Sequence, residues 1–193
     1  MLEIIILIII FSIDVLFVSI SYSIKNIKIP FNALLMISFI CSFSLLISVL
    51  FSYSINCFIN NTLKNFISFL ILFLMGLYNI FQERIKRLFK DSNNKLLNIY
   101  FDETKADFNN SQNLNQREAF NLSLILSIDT LFGGFSIGLV YNYILFITIL
   151  SFIINIVFLE LGFFLGKKIK LLNINTSYIL GIILIILGIL KLF

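Results

Sequence analysis

Histidine and tryptophan are absent from the 193 residues, proline occurs once and cysteine twice. Without histidine there is no imidazole to ligate a metal and no Ser/His or Cys/His pair to activate a nucleophile. No enzyme activity is expected. Cys41 and Cys57 lie on one apolar segment, about 24 Å apart if it is continuous helix, too far to bridge within it. Both read as inert. Charge is scarce as well: 12% of residues are charged, against 60% hydrophobic. A soluble domain of this length cannot hide so much apolar surface, so lipid must be the solvent for much of the chain. The opening residues, MLEIII, lack a basic region and no small-residue cleavage site follows. A removable signal peptide is not expected.

Runs long enough to cross a bilayer stand at about 4–24, 31–53, 66–82, 119–141, 143–165 and 177–193. The gaps carry Lys25, Lys28 and Pro30, then Asn60, Asn61 and Lys64, then the polar segment 83–118, Asn142, and Lys167, Lys168 and Lys170. Counted by side, twelve basic residues fall in the first, third and fifth gaps, against Lys64 and Lys191 on the other face. The positive-inside rule places the long loop in the cytoplasm and both termini outside a cell membrane. The basic run after residue 83 reads as a topology anchor meeting anionic lipid, not as a nucleic-acid site.

An internal repeat organises the spans. SIDVLFVSISYSI at 12–24 returns as SIDTLFGGFSIGL at 127–139, and LILFLMGLYNIF at 70–81 resembles IILIILGILKLF at 182–193. Three spans per half is an odd number, so the halves must insert in opposite orientations. The expected fold is an all-α polytopic membrane protein with six transmembrane helices as two inverted three-helix repeats. Its parts are a first repeat over 1–82, a cytoplasmic loop over 83–118 and a second repeat over 119–193.

Each copy holds one aspartate, Asp14 or Asp129, near the middle of its span. There a carboxylate costs roughly 2.5–3.5 kcal/mol even on lenient scales. Asp14 and Ser21 share a helical face, as do Asp129 and Ser136. Ser19 and Ser23, and in the second copy Gly134 and Gly138, form small-residue stripes on other faces, suited to close helix packing. The acids are then free to face each other across the repeat axis. Two carboxylates with nearby hydroxyls suit a hard divalent cation such as Mn²⁺, Mg²⁺ or Ca²⁺, and the metal could exchange against protons. The bland alternative is that each acid bonds a neighbouring helix. Glu160 is read as reaching the lysines that follow it, and Asn79 and Asn155 as packing contacts.

Within the loop, Asp107, Asn109, Ser111, Asn113, Asn115 and Glu118 take the ligand positions of an EF-hand, with Leu114 as its apolar residue. Gln112 stands where that motif needs glycine, and only the two end positions are carboxylates. A loop that keeps the turn without binding Ca²⁺ is the favoured reading, with weak Ca²⁺ binding as the alternative. Glu118 precedes Asp129 by three helical turns, so a metal bound in the loop could pull directly on the fourth helix.

The paired SID motifs, with SIDVLFVSISYSIKNIKIP at 12–30 and ADFNNSQNLNQREAFNLSLILSIDTLFGGFSIGL at 106–139, resemble the MntP manganese exporter family within the LysE-like transporters. The likeness is closer to its YtaF branch of sporulation membrane proteins, which carries a similar Lys-x-x-Lys-Ile-Pro end to the first helix. The resemblance implies a secondary exporter of Mn²⁺-like cations, with Asp14 and Asp129 at the family's intramembrane acidic positions and no resident cofactor. The alternative it leaves is a non-transporting sporulation membrane protein with a structural or regulatory role. An intramembrane aspartyl protease would need Gly-x-Gly-Asp, which is absent. Expected partners are the bilayer and the cation, with assembly into a homo-oligomer left open.

Overall fold

A computed structural model describes residues 2–56, 59–88, 106–108, 111–140 and 143–168. Among them are five helices: α1 (Leu2–Ile24), α2 (Phe31–Asn56), α3 (Asn61–Leu88), α4 (Gln116–Val140) and α5 (Ile144–Lys168). Four of these, α1, α2, α4 and α5, are long and apolar enough to cross a membrane, whereas the apolar part of α3 is the shorter stretch Thr62–Tyr78. The expected sixth span, residues 89–105, Cys57, Asn109 and Asn142 lie outside the described residues. α3 begins before the apolar run and continues past it through Gln82, Glu83 and Arg84. Backbone hydrogen bonding does not require apolar side chains, so the helix outlasts its hydrophobic part.

The helix ends follow local chemistry. α1 stops at Asn26, whose φ of 60° is the left-handed conformation that asparagine tolerates better than most residues. The Ile27 N–H then reaches back to the Tyr22 carbonyl at 2.9 Å, and the Asn26 N–H to that of Ser23 at 3.1 Å. That is a Schellman motif, completed by the burial of Ile27 and Tyr22 in one cluster. Pro30 precedes α2, where its missing N–H costs nothing, and its carbonyl accepts the Leu34 N–H at 3.0 Å. α5 ends on Lys167 and Lys168, cations at the negative end of the helix dipole. Their ammonium groups lie 4.5 and 4.6 Å from the ring centres of Phe163 and Phe164. Glu160 itself is exposed.

Helix directions follow from two apolar clusters. One gathers Val15, Val18 and Tyr22 of α1, Ile37 and Cys41 of α2, Leu122 and Leu126 of α4, and Leu159 of α5. The other gathers Ile4, Ile8 and Phe11 of α1, Leu45 and Val49 of α2, Leu72 of α3, Ile137 of α4 and Ile147 of α5. α1 and α5 therefore run parallel, α2 and α4 run parallel, and the two pairs are antiparallel to each other. The first cluster lies at the end where α1 meets α2 and where α4 begins, called here the loop end. Exposed Lys25, Lys28, Arg117, Lys167 and Lys168 all stand at that end.

α5 shows how such a helix is sorted. Ile147, Ser151, Asn155, Leu159, Gly162 and Gly166 are buried, while Leu145, Ile149, Ile153, Val157, Leu161 and Phe164 are exposed. The outward stripe is the more hydrophobic one, as befits a surface solvated by acyl chains, and the inward stripe is small and polar.

Candidate functional site

The parallel pairs hold the frame. Ser19 and Ser23 on α1 donate to the carbonyls of Leu159 and Phe163 on α5, at 2.5 and 2.7 Å. On the other pair, Ser48 and Ser52 of α2 donate to the carbonyls of Leu131 and Phe135 on α4, the latter at 2.7 Å. A glycine faces each serine. A Cβ on Gly162 would lie 2.7 Å from that of Ser19, and one on Gly166 only 2.5 Å from that of Ser23. On α4, the corresponding distances are 3.1 Å for Gly134 against Ser48 and 2.9 Å for Gly138 against Ser52. No larger side chain fits at Gly162, Gly166 or Gly138 without moving backbone, so small residues set the separation of both pairs.

α1 and α4 cross where Phe11 covers Gly133, whose absent Cβ would lie 2.6 Å from the ring. Asp14 follows Phe11 by three residues and Asp129 precedes Gly133 by four. On antiparallel helices both acids therefore lie one turn from that contact, in the same direction along the bundle and on the faces that make it. This level is a waist between the two apolar clusters. Both acids are half-buried. An oxygen of Asp14 accepts the Val15 N–H at 2.8 Å, and Asp129 opens into a cavity of about 300 Å³ against Ile71, Met75 and Tyr78 of α3.

The hydroxyls expected beside the acids differ in their surroundings. Ser21 is half-buried, two helical turns on from Asp14 along the same stripe. Ser136 is fully buried and bonds Ser68 of α3, oxygen to oxygen, at 2.5 Å. The Ser68 hydroxyl also lies 3.1 Å from the Ser136 carbonyl, so Ser136 ties α3 to α4. Among the described residues, no group of three or more histidine, cysteine, aspartate or glutamate side chains could hold an ion. Further oxygen donors at this level, among the described residues, are therefore neutral ones.

One such group is an asparagine that the sequence alone marks only as a packing contact. Asn155 on α5 is fully buried, and among the described residues neither its amide oxygen nor its nitrogen has a hydrogen-bond partner. Leaving such a group unsatisfied costs about 1–3 kcal/mol. Its neighbours mark its depth: Ile154 packs on one apolar cluster and Ile156 on the other. Asn155 therefore sits at the waist too. The signal that could have found it is its place at the middle of an otherwise small or aliphatic buried stripe.

At the loop end, both carboxylates of the EF-hand-like segment are buried and engaged by backbone. Asp107 accepts the N–H groups of Ser111 and Gln112, each at 3.1 Å. Glu118 accepts those of Phe108 at 3.1 Å and Asn115 at 2.9 Å. The second of these is half of a capping box, since Glu118 is the third residue of α4 and Asn115 its cap. Gln112, at the position suited to glycine, adopts a left-handed φ of 58°. Its carbonyl accepts the Lys28 N–H at 2.8 Å, and the Leu114 N–H returns to the Lys28 carbonyl at 2.9 Å. The segment is thus strapped to the α1–α2 connection.

Against known proteins, no curated sequence and no solved structure matches the chain. A family model described as "Mntp: Putative manganese efflux pump" matches residues 46–192. The match starts within α2, so it takes in Asp129 and leaves Asp14 outside. Covering well over half of the sequence of this multi-pass membrane protein, it makes the chain a member of the Mntp family.

Proposed function

We propose that this protein is a secondary transporter that exports a manganese-like divalent cation, held at the waist by Asp14 and Asp129 together. The apposition of the two acid-bearing turns around the Phe11–Gly133 contact carries the reading. Two carboxylates balance a divalent charge, which makes its dehydration in a low-dielectric waist tolerable, and hard oxygen donors suit Mn²⁺. Ser21 and Ser136 are the hydroxyls nearest to this role, with Ser136 also coupling α3 to the site through Ser68.

The helix pairs support an inverted repeat. A shift of 115 residues takes Ser19 and Ser23 onto Gly134 and Gly138, and one of 114 takes Ser48 and Ser52 onto Gly162 and Gly166. The α1/α5 pair and the α4/α2 pair are then one arrangement related by a twofold axis, with repeats over 1–82 and 119–193 and a sixth span at 177–193. Repeats rocking about a fixed midplane site give alternating access. The basic side chains gathered at the loop end support a cytoplasmic position for it, with both termini outside the cell membrane. Within the family, the Lys-x-x-Lys-Ile-Pro run at 25–30 supports the YtaF branch. The loop is a latch closed by backbone amides and needs no Ca²⁺.

Mn²⁺ flux into proteoliposomes of the purified protein tests the reading. Asp14→Asn and Asp129→Asn should each lower flux at least about tenfold, and the double variant should be little worse than either, as for residues acting as a unit. Absence of flux in wild type would sink transport. Independent, additive losses would sink only the shared site.

A further inference from the structure

We propose that Asn155 is a third ligand of the waist site, its amide oxygen coordinating the cation between the two carboxylates. The inference rests on the transport reading above and extends it to a helix that the acids do not occupy. Three observations carry it. The side chain is fully buried while both its polar atoms lack a hydrogen-bond partner among the described residues, and a packing role does not account for that. It stands at the level where the apolar clusters part, the level of Asp14 and Asp129. The third observation comes from the repeat.

The 114-residue shift that carries Ser48 and Ser52 onto Gly162 and Gly166 carries Cys41 onto Asn155. Cys41 is fully buried on α2, in the same apolar cluster as Val15, the residue that follows Asp14. The twofold relation gives Asn155 the matching place beside Asp129. One acid thus has a thiol as neighbour and the other an amide, and only the amide offers a hard oxygen. Charge explains why the residue is asparagine. Two carboxylates and a divalent cation sum to zero, so the filled site can cross a low-dielectric region. A third carboxylate would leave the filled site anionic, and a hydrophobic residue would leave the ion short of a ligand.

Equilibrium binding of Mn²⁺ to the purified full-length protein, read from the loss of the aqueous Mn²⁺ paramagnetic resonance signal, tests the assignment. Asn155→Leu should weaken binding at least about tenfold while thermal stability holds or rises, because an unsatisfied amide is removed. Asn155→Asp should keep binding and release about one more proton per ion than wild type, measured as a steeper dependence of affinity on pH. Among the described residues, the other titratable groups at this level are Asp14 on α1, Cys41 on α2, Tyr78 on α3 and Asp129 on α4. Wild-type affinity in Asn155→Leu overturns the proposal. So does an unchanged proton count in Asn155→Asp, which decides the matter even where the leucine variant does not fold. A wild type that binds no Mn²⁺, with Asp14→Asn indistinguishable from it, overturns the transport reading and this ligand with it.

Discussion

The α1/α5 and α2/α4 pairs use the same chemistry at different clearances. In both, serines on the earlier helix donate to carbonyls on the later one, and glycines on the later helix make room. In α1/α5, a methyl at either glycine would sit 2.5–2.7 Å from a serine Cβ, whereas in α2/α4 the figures are 2.9–3.1 Å. The first pair is therefore the tighter one, and only Gly134 has space that a small shift could open. Close approach needs one glycine per contact, while the interhelical hydrogen bond needs a hydroxyl opposite it. The division of labour supplies both at every step.

The comparison is most exposed to a graded series of glycine substitutions. Gly166→Ala should cost most, at about 3 kcal/mol, then Gly162→Ala, then Gly138→Ala, with Gly134→Ala least at about 1 kcal/mol, the range usual for overpacking. Reversible unfolding in mixed micelles would rank them. Equal costs at all four positions would show that the clearances do not decide packing.

A smaller effect is expected from exchanging partners. Gly134→Ser alone should crowd Ser48, and adding Ser48→Gly should recover about 1 kcal/mol of that loss in a double-mutant cycle. Additive effects would mean that the helix bearing the glycine matters, and not only the pair.

The smallest effects should come from the hydroxyls. Ser23→Ala and Ser52→Ala each remove one interhelical bond of 2.7 Å, and each should cost about 0.6 kcal/mol, the average for such bonds in a bilayer. A markedly larger cost at Ser23 would extend the contrast between the pairs from sterics to hydrogen bonding.

The spans of α1, α2, α4 and α5 are plain in the sequence because a bilayer imposes length and apolarity on each helix separately. Pairing is a different matter. The stripes of Ser19 and Ser23 and of Gly134 and Gly138 stand out within the repeated motif. Their counterparts Gly162, Gly166, Ser48 and Ser52 lie in helices with no motif to draw the eye, although the same four-residue spacing is there. In the loop, the spacing of Asp107 and Glu118 suggests metal ligation, yet both face backbone N–H groups, which no side-chain pattern encodes. Asn155 was illegible for a related reason. A single asparagine in an apolar run reads the same whether its amide is satisfied or not, and only the packed structure tells the two apart.

The placing of all four serine donors on α1 and α2, and of their acceptors on α4 and α5, bears on how the chain is made. A ribosome delivers the donor helices to the membrane first, and their hydroxyls have no opposing carbonyls until the later helices arrive. Two copies of the first half brought together would set serine against serine, without the glycine clearance that either interface uses. In its own serine stripes the early half thus lacks the clearance that the glycines of the second half supply.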